Sequence, residues 1–418
     1  MKILILNVHS ALNLGDQGIM QATLEALRAE FPDAEITVAA NHPQSWSNRV
    51  DPSPVFEGVT VVGSLTSWVE HLRDGRWKGD LKSMVGYLAL LSIAALGYRV
   101  FGRRLMWGTV EQRRLLSAYY DADLALSCGG GNFYAYRRFS PFLIWALGAL
   151  LFAIALGKQV VMLPQSIGPI QGRIQRALAR WILNPVRTIM VREPWTQNFL
   201  TNDLQVSTRV VLLPDLAFGL AGIVSPKRSP EHPPEIGSTV LDRSAQLRSF
   251  GGQSGYEDAL CALLTRLAQT HDARITLFCQ CYGPSADQDD RPVSARLLAR
   301  LKAAGVVVTL APDFARARDL VDAYGKMDLM IGTRMHTSIF AMCSATPVLL
   351  IGYQPKGRGV MAMCGLESYC CDIEHLSADI LYARASELLD RSAALQAHML
   401  TQGVQIRSRL DGWTRRLL

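Results

Sequence analysis

Residues 331–338 read Ile331-Gly332-Thr333-Arg334-Met335-His336-Thr337-Ser338 and place an arginine and a histidine two residues apart. Arginine offers a planar fork of donors matched to carboxylate or phosphate, and histidine holds or releases a proton near neutral pH. The pair could bind and protonate a small anion, or it could be a surface salt bridge and a polar histidine on a helix start. Arg192 ends a run of apolar residues in a similar way, and it either reaches the same ligand or pairs with Glu193 or another neighbour. Near the N-terminus, Asn13-Leu14-Gly15-Asp16 suits a helix cap, with Asp16 taking up free N–H groups and Gly15 permitting the turn. Alternatively Asn13 and Asp16 touch ligand hydroxyls or steer a proton. Gly129, Gly130 and Gly131, followed by Asn132, let backbone approach a ligand but lack the spacing of a dinucleotide fingerprint. Asp215 follows another apolar run, as a cap or a ligand contact. No Walker lysine is present, which argues against an NTPase. Asp289-Asp290-Arg291 reads as an exposed charged turn leading into a helix, and no group of carboxylates, histidines or cysteines has metal-ligand spacing.

These residues need elements to hold them. An apolar strand over 328–331 runs straight into the Arg334 turn, and a helix over 337–345 follows. In parallel α/β sheets ligands bind outside the C-terminal strand ends, where a helix N-terminus offers free N–H groups and partial positive charge. The first half alternates strands (3–8, 35–40, 59–62, 122–127, 159–163, 188–191, 210–213) with helices (17–30, 111–120, 141–156, 174–183), on apolar periodicity and Gly/Pro punctuation. The segments 129–132 and 164–169 read as loops. The second half restarts with strands at 238–241, 274–279, 306–310, 328–331 and 347–351, separated by helices. The fold expected is α/β: two doubly wound Rossmann-like domains facing across a cleft. Their expected limits are 1–222 and 238–389, with a Pro-, Ser- and charge-rich linker at 223–237. Residues 390–418 read as a helical segment packing back on the first domain.

At 418 residues the chain exceeds what one hydrophobic core usually serves. With 49% hydrophobic and 19% charged residues it is globular. A net charge of +7 and a pI near 9.0 fit an anionic substrate or an anionic membrane surface. No nucleic-acid partner is expected, since no basic stripe interleaves with aromatics. The eight scattered cysteines lack zinc spacing and imply a reducing cytoplasm. Residues 1–6 are too short for a signal peptide and read as the first strand. An apolar insertion at about 84–104 has basic flanks, including Arg76, Lys78, Lys82, Arg103 and Arg104. It falls short of the roughly 20 apolar residues of a span, and reads as a buried helix or a monotopic helix on the cytoplasmic leaflet.

Taken jointly, Asn13-x-Gly15-Asp16, Gly129-Gly130-Gly131-Asn132, Gln165-Ser166-Ile167-Gly168-Pro169, Val191-Arg192-Glu193, Pro214-Asp215 and Gly332-Thr333-Arg334-Met335-His336 resemble the polysaccharide pyruvyl transferase family. The opening and the stretch 278–291 are most similar to the colanic-acid-type exopolysaccharide enzymes. His9-Ser10-Ala11 stands where many relatives carry a glycine. The resemblance implies a fold like that of GT-B glycosyltransferases. It also implies transfer of a pyruvyl group from phosphoenolpyruvate to two hydroxyls of one sugar as a cyclic ketal, with no metal or nucleotide cofactor. Arg192 and Arg334 would clamp the donor from facing domains, helped by the N–H of Met335. His336 would be the general acid and Asp16 a base or hydroxyl orienter. Asn13, Gly129 to Gly131, Asn132 and Asp215 would position the acceptor or its loops. A lipid-linked oligosaccharide acceptor would place the enzyme in the cytoplasm, peripheral or monotopic at the inner face of the plasma membrane. The rival functions are a nucleotide-sugar glycosyltransferase on the same architecture and a non-catalytic carbohydrate-binding relative.

Overall fold

A computed structural model describes residues 1–48, 54–65, 67, 80–220, 232–242 and 252–417. Most of the 223–237 stretch read as a linker therefore lies outside the described residues, as do Arg76 and Lys78. The chain divides into two compact units. The first takes in residues 1–11, 19–215 and 412–417, and the second takes in 12–18 and 216–411.

The first unit is built on an all-parallel sheet whose strands β1 (Lys2–Val8), β2 (Glu35–Ala40), β3 (Thr60–Gly63), β4 (Leu124–Ser127), β5 (Gly130–Ala135), β6 (Gln159–Ile170), β7 (Thr188–Val191) and β8 (Val210–Leu212) lie in the order β3-β2-β1-β4-β6-β7-β8, with β5 also paired to β6. Its strands are continuous apolar runs because helices cover them. The Pro141–Ala155 helix buries Trp145, Leu147 and Leu150 among the sheet residues, and the Val110–Asp121 helix adds Leu115, Tyr119 and Tyr120. Ser140 caps the former and Thr109, with Gln112, forms a capping box on the latter.

The two stretches expected as loops, 129–132 and 164–169, belong instead to β5 and to the far half of β6. Proline and glycine disguise them, but the pairing shifts register twice and so tolerates both. Gly129 is required just before them: a Cβ there would lie 2.8 Å from the carbonyl oxygen of Pro164 and 3.0 Å from Ile19 Cγ2.

The second unit carries β9 (Glu235–Thr239), β10 (Arg274–Phe278), β11 (Val308–Leu310), β12 (Leu329–Gly332), β13 (Val348–Gly352) and β14 (Cys370–Asp372), all parallel, in the order β11-β10-β9-β12-β13-β14. Strand β9 starts three residues earlier than expected, inside the supposed linker. The Pro355–Met363 helix and β14 are additions, too short and too polar at their edges to declare themselves. The strand order reverses direction between β9 and β12, which is the switch point where doubly wound sheets leave a crevice. The Ser392–Leu410 helix stays in this unit, while 412–417 join the first, where Thr414 donates to Glu30 at 3.0 Å.

Candidate functional site

Arg334 stands two residues beyond β12 at the switch point and is the N-cap residue of the Met335–Cys343 helix. Its guanidinium meets Asp290 edge-on: Nε donates at 2.9 Å to one carboxylate oxygen and Nη2 at 2.5 Å to the other. The Arg334 side chain is 20% exposed and that of Asp290 1%. Burial works to lower the arginine's pKa, but the Asp290 carboxylate more than reverses this and holds it above its ordinary value. Nη1 makes no hydrogen bond among the described residues, so one edge of the fork is anchored and the other remains for a ligand.

Asp290 also accepts from the backbone N–H groups of Gln280 (3.1 Å) and Cys281 (2.9 Å). It therefore ties Arg334 to the segment that follows β10. That segment in turn pairs with the N-terminal loop: Leu14 N–H donates to the Gln280 carbonyl at 3.0 Å and Tyr282 N–H to the Leu12 carbonyl at 2.8 Å. Asn13 stands across from Cys281 in an antiparallel bridge. Although 12–18 lie near the start of the chain, their contacts place them in the second unit.

Within this loop Asn13 Nδ2 donates to Asp16 at 2.8 Å, and Asn13 Oδ1 accepts from Gly15 N–H at 3.0 Å. The expected cap is thus an Asx turn made by Asn13, which leaves Asp16 pointing at its neighbour's amide. Gly15 has a sharper role. A Cβ on it would lie 2.2 Å from His336 Nδ1, so only glycine lets the imidazole lie against this loop. His336 also rests near Phe340, ring centroids 6.1 Å apart. The Cys281 thiol is pushed up to about 12 by burial, with Arg334 pulling it down and Asp290 and Asp16 adding to the rise. Those three charges share its neighbourhood. Asn13, Asp16, Arg334, Met335 and His336 are accordingly one site in the second unit.

A polar network lies beneath it. Thr337 Oγ1 donates to Gln280 Oε1 at 2.9 Å and meets Thr239 Oγ1 at 3.1 Å, while Tyr256 OH and Thr333 Oγ1 are 2.7 Å apart. Gln280 is fully buried, and its Nε2 has no hydrogen-bond partner among the described residues. Past β13 and β14 a cavity of about 290 Å³ opens. Gln354, Arg358, Asp372 and Glu374 line it with Tyr353.

The remaining expected site residues lie in the first unit and are enclosed. The resemblance implies Arg192 as a donor clamp, but its side chain is 1% exposed and the ion-pair alternative holds instead. Nη1 donates to Asp215 at 2.5 Å, Nε to Ser166 at 2.9 Å, and Glu193 stands 3.5 Å away. Asp215 is fully buried in this pair, so neither side chain is presented to solvent. Asn132 donates at 2.7 Å to the carbonyl of Asn7, itself in the left-handed region at φ 58°, and so braces the end of β1. Gly130 (φ 126°) and Gly131 are strand residues of β5. Gln165, between them and Arg192, is fully buried, with neither amide atom paired among the described residues.

Sequence reasoning missed Asp290 and Gln280. Asp290 was taken for an exposed turn because Asp289 and Arg291 beside it are charged, and those two do pair with each other, at 2.6 Å. The available signal was Pro292, which marks the first turn of a helix and so puts Asp290, two residues before it, at the cap position. Among the described residues no group of three or more His, Cys, Asp or Glu side chains could hold a metal. None of the eight cysteines is in a disulfide.

Comparison with known proteins adds three findings. The sequence model of the family described as polysaccharide pyruvyl transferase matches residues 13–355. The amylovoran biosynthesis protein AmsJ of Erwinia amylovora is 23% identical, the match covering 93% of this chain and 92% of that one. Among solved structures, sucrose-phosphate synthase from Thermosynechococcus elongatus superposes with a TM-score of 0.55 at 12% identity, covering 100% of this chain and 96% of that one. UDP-GlcNAc 2-epimerase from Neisseria meningitidis, bound to UDP-GlcNAc, gives 0.54 at 11% identity, covering 98% and 99%. The structural likenesses establish a GT-B-type α/β fold.

Proposed function

We propose that this chain, which belongs to the polysaccharide pyruvyl transferase family, transfers a pyruvyl group from phosphoenolpyruvate to two hydroxyls of one sugar, forming a cyclic ketal. The observation that supports it is the meeting of Arg334, His336 and Asp16 at the switch-point edge of the second unit. Phosphoenolpyruvate carries a carboxylate and a phosphate. The open edge of Arg334 takes one of these, and the helix start at Met335 offers backbone N–H groups in addition.

His336 then protonates the methylene carbon, which leaves an oxocarbenium-like centre at the carbon bearing the phosphate. The first sugar hydroxyl attacks that centre and gives up its proton, with Asp16 as base or orienter. The second hydroxyl forms the other C–O bond and returns its proton to the now neutral His336 as the bond to phosphate breaks, and inorganic phosphate departs. The reaction so written uses no metal and no nucleotide. Arg192 we assign to the frame, because its side chain is closed off and Asp215 and Ser166 hold Nη1 and Nε; the same enclosure takes Asp215 away from the acceptor. The acceptor is a sugar of an exopolysaccharide repeat unit on a lipid-linked precursor, and the enzyme works as a peripheral protein at the cytoplasmic membrane face.

Mass spectrometry of lipid-linked oligosaccharides incubated with the enzyme and phosphoenolpyruvate tests this. A pyruvyl mass gain with release of phosphate is expected. Thermal-shift screening separates the rival: stabilisation by UDP- or GDP-sugars and not by phosphoenolpyruvate would instead make the chain a glycosyltransferase.

A further inference from the structure

Over its described side chains, 86–101, the Asp80–Phe101 helix buries one side. Leu91, Ala94 and Ala95 are buried, and Tyr87, Leu88 and Tyr98 lie against the core of the first unit. Leu88 reaches the Pro141–Ala155 helix at Gly148, and Tyr98 stacks obliquely on Tyr120 with centroids 5.0 Å apart. The opposite side carries Leu90, Ile93, Leu96 and Val100 at steps of three and four residues, which is one helical face, and Phe101 closes the helix beside Val100. Ile93, Leu96 and Phe101 are 57%, 63% and 72% exposed. Leu105, Met106 and Val110 continue the apolar surface past the helix end.

Soluble monomers rarely leave so much contiguous apolar surface open. Arg99 and Arg103, at and just past the helix end, are exposed and have no acidic partner among the described residues, while Arg104 and Arg114 are paired with Asp121 and Glu111. No described helix is long and apolar enough to cross a membrane. With its inner side held by the protein, this one can only lie along a surface.

We infer that the outward face of this helix docks on an anionic phospholipid bilayer. The apolar side chains enter the acyl boundary while the arginines meet phosphate headgroups. A second copy of the chain would cover the apolar face equally well, but it would set two like-charged arginine margins against each other. Charge complementarity therefore selects the bilayer. The inference deepens the membrane-facing part of the proposed function. It stands apart from the ketal chemistry, because docking is read with no donor or acceptor present.

The test is co-sedimentation of the full chain with phosphatidylcholine vesicles, with and without phosphatidylglycerol. Binding should require phosphatidylglycerol and weaken as salt is added. Replacing Ile93→Ser, Leu96→Ser and Phe101→Ser together should lower binding about tenfold or more while the unfolding temperature holds, since these side chains touch no core residue. Arg99→Glu with Arg103→Glu should abolish the preference for phosphatidylglycerol. Wild-type protein left in the supernatant would overturn the inference. So would a triple variant that binds normally, or size-exclusion showing a wild-type dimer that the triple variant converts to monomer.

Discussion

Arg192 and Arg334 begin from matching positions. Each follows a parallel strand of its own unit and precedes a helix, and each is gripped by an aspartate at 2.5 Å. Their surroundings then diverge. Arg192 has three acceptors around it, Asp215, Ser166 and Glu193, and is shut from solvent. Arg334 has one acceptor residue, which spans only its Nε/Nη2 edge, and a fifth of the side chain remains open. A buried charge pair repays its desolvation only when every donor finds a partner. Arg192 has Nε and Nη1 bonded and a second carboxylate close by in a closed site, whereas Arg334 keeps Nη1 unbonded among the described residues on a partly exposed side chain. The difference separates an arginine that holds a fold from one that waits for an anion.

Four substitutions put weight on this contrast. His336→Ala, beside the open arginine, should cut turnover by about 10²- to 10⁴-fold, since it removes a proton donor from the transition state. Gly15→Ala should approach that loss without touching the histidine itself, because the new Cβ would need the space of the imidazole. Steady-state kinetics measure both, and unchanged turnover in either would remove His336 from the reaction. Arg192→Ala should cost stability rather than chemistry, about 3–5 kcal/mol, because Asp215 and Glu193 would be left buried and unpaired. Denaturant unfolding reads this, and a full-stability variant would show that Arg192 is not a framework residue. Smallest in effect, Asp290→Asn should leave the fold standing but free the Arg334 fork, weakening phosphoenolpyruvate binding by about tenfold, the worth of one charge-assisted contact. Fluorescence or calorimetric titration would show it.

A labelling experiment sharpens the same picture. Cys281 is buried and its thiol is pushed up to about 12, so iodoacetamide at about pH 8 should leave it unmodified in the native protein. Rapid labelling would mean that the 280–282 segment opens from the 12–14 loop.

Much of this was legible in the amino-acid order. Strands 35–40 and 188–191 fall where apolar runs between turn residues place them, and the Arg334 turn sits at a strand end as its flanks imply. Local pattern carries that information. Partner choice does not. Arg192 and Arg334 share a setting, an apolar strand before and a helix after, and only the arrival of Ser166 and Asp215 in one case and Asp290 in the other decides their surroundings. Gly15 illustrates the same limit: it reads as a turn glycine, while the side chain it makes room for lies more than 300 positions along the chain. Strand β5 and the end of β6 were hidden for a further reason. Glycine and proline in a bulged pair look like loop chemistry until the register is known.

The account turns on which arginine grips the donor, and calorimetric titration of phosphoenolpyruvate into the wild type, Arg334→Lys and Arg192→Lys decides it. Lysine keeps the charge but loses the fork, so Arg334→Lys should weaken binding by about 10- to 100-fold while Arg192→Lys binds close to normally with a lower unfolding temperature. The reverse pattern, with affinity lost at Arg192 and kept at Arg334, would contradict the assignment of the donor site to the second unit.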